Sequence, residues 1–194
     1  MVEQLEKVAP VVALRGSDAE DPIGYMRTTV TTLAEATGKQ ATATQLLTEF
    51  DAKVTAGKAA LEKAGKTGAQ FTMSDGWVQS GTVTVRMYTP GSFLGSIAQE
   101  LGLDNQWTTG GDKDYGLATT DVEGLTKLNQ ATDSTFLYVA DITAEPFTAT
   151  LDKNAIWKKL PFVEKATSSR SPPGSGCSVA RRLPVRTSTP WCRT

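Results

Sequence analysis

Histidine is missing altogether from the 194 residues of this chain. Without an imidazole, Ser-His-Asp and Cys-His arrangements are excluded, together with any histidine-ligated zinc site. Cysteine occurs only as Cys177 and Cys192, both near the C-terminus, and two thiols in an unpatterned stretch leave a disulfide open and the redox compartment undecided. Arginine is scarce over most of the chain, with Arg15, Arg27 and Arg86 the only three before residue 165. No run approaches the roughly 18 apolar residues of a membrane span. The opening "MVEQLEKVAPVV" has no basic stretch leading into an apolar one, so the chain as written reads as lacking a signal peptide. Also missing are G-x-G-x-x-G, the phosphate loop ending in G-K-[ST], and the G-x-S-x-G elbow, since the serine of "GSFLG" follows its glycine directly. Asp104, Asp112, Asp114 and Asp121 lack the spacing of a calcium loop.

What is present is an ordinary globular composition, 39% hydrophobic and 21% charged. Its charge is unevenly spread. Residues 1–165 hold 15 basic against 21 acidic side chains, whereas "ATSSRSPPGSGCSVARRLPVRTSTPWCRT" holds five arginines and no acid. That tail has no apolar periodicity. It reads as an unstructured segment, with nucleic acid or a membrane surface as a weaker alternative for its charge.

Periodicity supplies the elements. "APVVAL" suggests a short buried strand, and Ile23, Met26, Val30 and Leu33 mark a helix over about 22–37 that Gly38 stops. Leu47, Phe50, Val54 and Leu61 form the stripe of a second, longer helix. "GAQFTMSD" reads as a strand. In "TVTVRMY" Val83, Val85 and Met87 alternate with Thr84, Arg86 and Tyr88, which places Arg86 and Tyr88 on one face of a strand. A helix over about 92–102, a helix at "DVEGLTKLNQA", a strand at "STFLYVAD" and a short helix and turn in "NAIWKKLPFVEK" follow. Strands alternating with helices predict an α/β layer structure with a mainly parallel sheet, in which ligands lie at the carboxyl ends of strands.

That rule draws attention to "VRMYTPGSFLGSIAQELGL". Its Pro-Gly turn delivers a helix N-terminus whose backbone N–H groups favour an anion. Trp77, Tyr88 and Phe93 would add flat apolar faces, and Arg86 a fixed charge able to form paired hydrogen bonds with oxyanions. The same residues also suit rim packing and a solvated strand face. "TTGGDKDYG" could cradle a phosphate or simply connect two elements. An α/β enzyme would have to take its base from a carboxylate, a Lys or a Tyr, with Asp141 and Asp114 as the carboxylates to mutate.

In order and spacing, "LEKVAPVVAL", "LAEATGKQATATQLLTEFDAKV", "TVRMYTPGSFLGSIAQELGL", "YGLATTDVEGLTKL" and "NAIWKKLPFVEK" resemble the iron-siderophore substrate-binding proteins of ABC importers, over about residues 4–165. The resemblance implies a three-layer C-terminal lobe preceded by a long interlobe helix. It divides the chain into a remnant of the N-terminal lobe (1–20), an interlobe helical region (21–66), the C-terminal α/β lobe (67–165) and a tail (166–194). It implies a monomeric binding protein, not an enzyme, periplasmic or anchored at the cell surface, with ferric siderophore and an ABC permease as partners and no nucleic acid.

Residue by residue, the resemblance places Trp77, Arg86, Tyr88 and Phe93 in the segment lining the C-lobe side of the siderophore cleft. Glu123 stands where members of the family often carry an acidic residue that docks onto the permease, although taken alone it reads as a first-turn helix carboxylate favoured by the helix dipole. The siderophore wraps the ferric ion, so neither a protein metal ligand nor a cofactor is implied. Cobalamin or haem is the alternative ligand for the same architecture. After "LPFVEK" the family continues with a strand and a Trp-containing segment. Rereading the tail in another frame of GC-rich DNA can restore such an ending, so a frameshift is expected there. With part of the cleft and the closing elements lost, the chain as written is expected to bind siderophore weakly or not at all.

Overall fold

The computed structural model describes residues 2–131, 133–139, 145–165 and 168–171. After a single turn, α1 (Val2–Leu5), the chain runs extended to residue 20. The buried strand expected at "APVVAL" does not form: among the described residues no strand pairs with this segment, and Val12 and Leu14 are exposed. An apolar run needs a partner ladder before it becomes a strand.

Helix α2 (Pro22–Thr37) starts where the sequence predicts. Asp21 Oδ1 accepts from Gly24 N at 2.9 Å, and Pro22 occupies the first turn, where its missing N–H costs nothing. Gly38 ends the helix in the left-handed conformation, φ 67°. Its buried contact is Ala34, with Leu33 turned outward, one residue off the expected stripe. Helix α3 (Gln40–Lys63) spans about 36 Å at the ordinary helical rise. Ala43 is buried, and Leu47, Phe50, Val54 and Leu61 follow it half-buried on the expected stripe. Arg27 donates to both oxygens of Asp51 and lies 5.4 Å from the Phe50 ring centre, which ties α2 to α3.

The sheet begins with β1 (Gln70–Gln79) and β2 (Thr82–Tyr88), an antiparallel hairpin. Ser80 and Gly81 make its two-residue turn, both with positive φ (51° and 79°), a conformation whose twist matches that of the strands. The sheet continues through α4 (Phe93–Glu100), β3 (Asp104–Asn105), β4 (Leu117–Thr120), a 3-10 helix over Gly124–Gln130 and β5 (Thr135–Val139). It closes with α5 (Glu145–Leu151), α6 (Ala155–Lys158), α7 (Pro161–Glu164) and β6 (Ser168–Ser171). The strand order is β4-β2-β1-β5-β6, with β3 also beside β1.

The sheet is mixed. β1 runs parallel to β3 and β5, and β5 parallel to β6, but β2 is antiparallel to both β1 and β4. The expectation of a mainly parallel sheet therefore holds for one half only, because the two-residue turn forces β2 to reverse. The expected α-helix in "DVEGLTKLNQA" is a 3-10 turn that still buries Leu125 and Leu128. The boundary expected at residue 165 falls inside the sheet, since Ser168–Ser171 pair with β5; Cys177, Cys192 and the rest of the tail lie outside the described residues.

One face of the hairpin carries the core. Val83, Val85 and Met87 of β2 join Leu125, Leu128, Phe147 and Leu151 beneath α5. Gly76 is required there, because a Cβ at that position would meet the Phe147 ring at 2.2 Å and the Thr84 carbonyl oxygen at 2.8 Å. An aromatic cluster fastens the last helices to β5. Phe136 stacks on Phe162 at 4.4 Å between ring centres, and Trp157 packs edge-on against both.

Candidate functional site

The other face of the hairpin is half-exposed and polar. Counting outward from the Ser80-Gly81 turn puts Asp75 opposite Arg86 and Trp77 opposite Thr84. Arg86 Nε donates to Asp75 Oδ1 at 2.9 Å and Nη2 to Oδ2, a two-pronged ion pair, while Tyr88 Oη donates to the same Oδ2 at 3.1 Å. The Arg86 guanidinium lies 5.6 Å from the Trp77 ring centre. The hydrogen-bonded Asp75 carboxylate raises Arg86 above the ordinary guanidinium value. Burial, reinforced by that carboxylate, pushes the Tyr88 phenol up.

Tyr88 leads into an apolar groove of about 380 Å³. Its walls come from three places in the chain: Arg15 to Ser17 in the extended segment, Tyr25, Met26 and Thr29 on α2, and Tyr88, Phe93, Leu94, Tyr115 and Leu117 around the start of α4. Phe93 and Leu94 turn outward from the first turn of α4, 37% and 38% exposed. Tyr25 Oη donates to the Arg15 carbonyl at 3.0 Å, and Arg15, paired with Asp18, lies over the Tyr25 ring.

The two loops at the mouth are held by their own hydrogen bonds. Ser92 Oγ accepts from Gly95 N and donates to Thr89 O, while Thr89 Oγ1 accepts from Gly91 N and donates to Gly116 O. At the start of α4, expected to offer free N–H groups to an anion, the Gly95 amide is thus taken by the Ser92 cap. In "TTGGDKDYG", Asp112 accepts backbone hydrogen bonds from Asp114, Tyr115 and Leu117, and the Tyr115 bond chiefly holds its carboxyl below the usual range. Those amides are spent on the loop rather than offered to a phosphate. Gly116, φ 63°, packs on the Gly91 backbone, where a Cβ would come within 2.2 Å.

Of the four residues singled out in the sequence, Tyr88 and Phe93 line the groove, and Trp77 and Arg86 continue from it along the hairpin, joined to Tyr88 through Asp75. Glu123 is exposed just before the 3-10 helix and does not line the groove. Sequence reasoning missed Asp75, Tyr25, Tyr115 and Arg15. The turn dipeptide Ser80-Gly81 would have revealed Asp75, because a two-residue hairpin fixes which residues face each other. The others arrive from separate elements and carry no local signal. Asp114 is exposed and does not line the groove, and Asp141 lies outside the described residues. Among the described residues no group of three His, Cys, Asp or Glu side chains is placed to hold a metal ion.

No family model and no curated protein sequence matches the chain. Solved structures do. The ferric Desferal-bound siderophore-binding protein FhuD of Vibrio cholerae is similar at 26% identity and TM-score 0.71, over 88% of this chain and 61% of its own. The siderophore periplasmic binding protein from the fuscachelin gene cluster of Thermobifida fusca is similar at 22% identity and TM-score 0.65, over 88% and 59%. Staphylococcus aureus SirA follows at 20% identity and TM-score 0.59, over 86% and 60%. The chain has the FhuD-type fold of the siderophore periplasmic binding proteins of ABC transporters. It spans about three-fifths of the length of these proteins.

Proposed function

We propose that the chain supplies one wall of the ligand cleft of an ABC-importer binding protein, which captures a ferric siderophore and releases it to the membrane permease. The observation that carries this reading is the aromatic groove: Tyr25, Tyr88, Phe93 and Tyr115 converge there from separate elements, with Trp77 further along the hairpin. Flat apolar faces with few polar groups suit the outside of a bulky chelate whose metal is already enclosed. In this reading the protein is not an enzyme, works as a monomer at the periplasmic or cell-surface side of a membrane, and uses Glu123 to dock on the permease. Cobalamin and haem are large flat alternatives that the groove does not favour by any specific contact.

The domain reading belongs to the same proposal, with 1–20 continuing a first lobe, 21–66 joining the lobes and 67–165, extended by the paired strand Ser168–Ser171, forming the second. One wall alone binds weakly, at affinities of roughly ten micromolar or poorer, because contacts on one side rarely offset the loss of ligand freedom. The test is a titration of the isotope-labelled chain with the gallium complex of desferrioxamine up to millimolar concentration, followed by NMR. Shifts at Tyr25, Tyr88, Phe93 and Tyr115, abolished by Tyr88→Ala or Phe93→Ala in folded protein, are expected. Saturable binding elsewhere, or none at all, would overturn the reading.

A further inference from the structure

A buried asparagine and a tryptophan connect the groove to the surface that carries Glu123. Asn105, in β3, is only 4% exposed. Its Nδ2 donates to the Tyr88 carbonyl at 2.8 Å, and its Oδ1 accepts from Trp107 N at 3.0 Å. One side chain thus ties the end of β2, where Tyr88 enters the groove, to the chain that leaves β3. Both bonds are made to backbone groups. A shift at Tyr88 is therefore followed at Trp107, or a buried hydrogen bond is lost.

Trp107 carries the connection onward. Its buried ring belongs to the same cluster as Met87, Val122, Leu125 and Leu128, the last three being the inward residues of the segment on which Glu123 lies. From the outer side of that segment, Lys127 places its ammonium 5.5 Å from the Trp107 ring centre. Two features mark this arrangement as one of a pair. The Trp107 indole N–H is buried with no hydrogen-bond partner among the described residues, a cost that a turn of the ring toward an acceptor recovers. Glu123 forms no ion pair among the described residues, and Lys127, four residues on, is the nearest base along the chain. The flexible four-carbon stem of a lysine lets one ammonium serve either partner.

We propose that Asn105, Trp107 and Lys127 are positioning residues that couple occupancy of the groove to the charge shown at Glu123, an inference that rests on the groove being a ligand wall and on Glu123 meeting the permease. With Tyr88 held, Asn105 fixes Trp107 beneath Lys127, and Glu123 stands unpaired for a cationic partner surface. With Tyr88 released, Trp107 turns and Lys127 leaves the ring for Glu123, whose charge is then masked. The two arrangements exchange a ring contact for an exposed ion pair and a hydrogen bond, contributions of similar size. Such a balance is what a modest binding energy can tip.

The test follows the Trp107 indole, Lys127 side-chain and Glu123 carboxyl signals by NMR in the isotope-labelled full chain, with gallium desferrioxamine as the groove probe and Trp107→Phe for assignment. All three signals should shift on titration with the same midpoint as Tyr88. Asn105→Ala should keep the Tyr88 shift and lose the other three. Lys127→Met, at an exposed position that folding tolerates, should keep the shifts at Tyr88 and Trp107 and lose the one at Glu123. A second measurement needs no ligand: Tyr88→Ala, which loosens the end of β2, should move the Glu123 signal in the native background and leave it in place beside Lys127→Met. Saturation of the groove with Trp107, Lys127 and Glu123 unmoved, or a Glu123 shift that survives Lys127→Met, overturns the coupling and leaves the ligand wall standing. No groove shift with the gallium complex, while Tyr88→Ala still moves Glu123 through Lys127, overturns the ligand wall and keeps the coupling. Failure of both measurements overturns both.

Discussion

Replacing Asp75 by alanine isolates the contact network on which the site depends. The Asp75 carboxylate takes two hydrogen bonds from Arg86 and one from Tyr88, and its own side chain is 19% exposed. The Arg86 side chain is 40% exposed, so solvent screens the ion pair and its share is about 1 kcal/mol. The Tyr88 bond joins a half-buried phenol to a charged acceptor and contributes about 1 to 1.5 kcal/mol. Asp75→Ala should therefore cost about 2 kcal/mol, which for a chain of this length is a fall in Tm of roughly 4 to 8 °C. Asp75→Asn can still accept from Tyr88 and should cost about half as much. Thermal unfolding by circular dichroism measures both. Raising the salt should narrow the gap between native protein and Asp75→Ala, because the exposed part of the network is screened. An Asp75→Ala protein as stable as the native one at low salt would refute the reasoning.

Four further outcomes follow from other parts of the molecule. Phe162→Ala removes the stacked partner of Phe136 from a fully buried position and should cost about 3 to 5 kcal/mol, seen as an early denaturant midpoint. Ser80→Asn or Ser80→Gly places a residue tolerant of positive φ in the hairpin turn and should raise stability by about 0.5 to 1 kcal/mol by the same measure. The Tyr88 phenol, raised by burial and by Asp75, should ionise above the ordinary phenol range in a spectrophotometric titration compared with Tyr88→Phe. Since its folded value lies above the unfolded one, its stabilisation is complete below the ordinary phenol range and lost as pH rises through the folded value. Asp112, depressed by backbone N–H donors, behaves oppositely: amide protection over residues 112–117, relative to the intrinsic exchange rate at each pH, should be full above the ordinary carboxyl range and fall as pH drops through the lower folded value, or on Asp112→Ala.

Much of this architecture is legible in the sequence, for reasons that differ between elements. Helices α2 and α3 are announced by local chemistry: Asp21 and Pro22 at the start, Gly38 between them, and an apolar stripe on α3. β2 is equally plain, because Val83, Val85 and Met87 alternate with polar residues. The segment "APVVAL" has the composition of a strand but no ladder to join, and composition alone does not supply a partner. The far half of β1 is hidden by Gly76 and the polar Gln79, whose roles are set by Phe147 and by the turn rather than by periodicity.

The site divides in the same way. Tyr88 and Phe93 are found by the rule that ligands gather at the ends of strands, even though β2 proves to run against its neighbours. Arg86 looks like an anion receptor until Asp75 is seen opposite it, and that pairing follows from recognising the Ser80-Gly81 turn. Tyr25 and Tyr115 enter the groove only through tertiary packing. Gly16 makes room for the Tyr115 hydroxyl, and Gly116 lets the following loop close on Gly91.

The central claim, that this groove is one wall of a siderophore site, is tested most directly by paramagnetic broadening. Ferric desferrioxamine is added to the isotope-labelled chain, with the diamagnetic gallium complex as reference. The account predicts that the amide signals of Tyr25, Trp77, Tyr88, Phe93, Leu94 and Tyr115 broaden first and those of Leu47, Val54 and Phe162 persist. Broadening centred on any other surface, or no difference between the two metals, would contradict it.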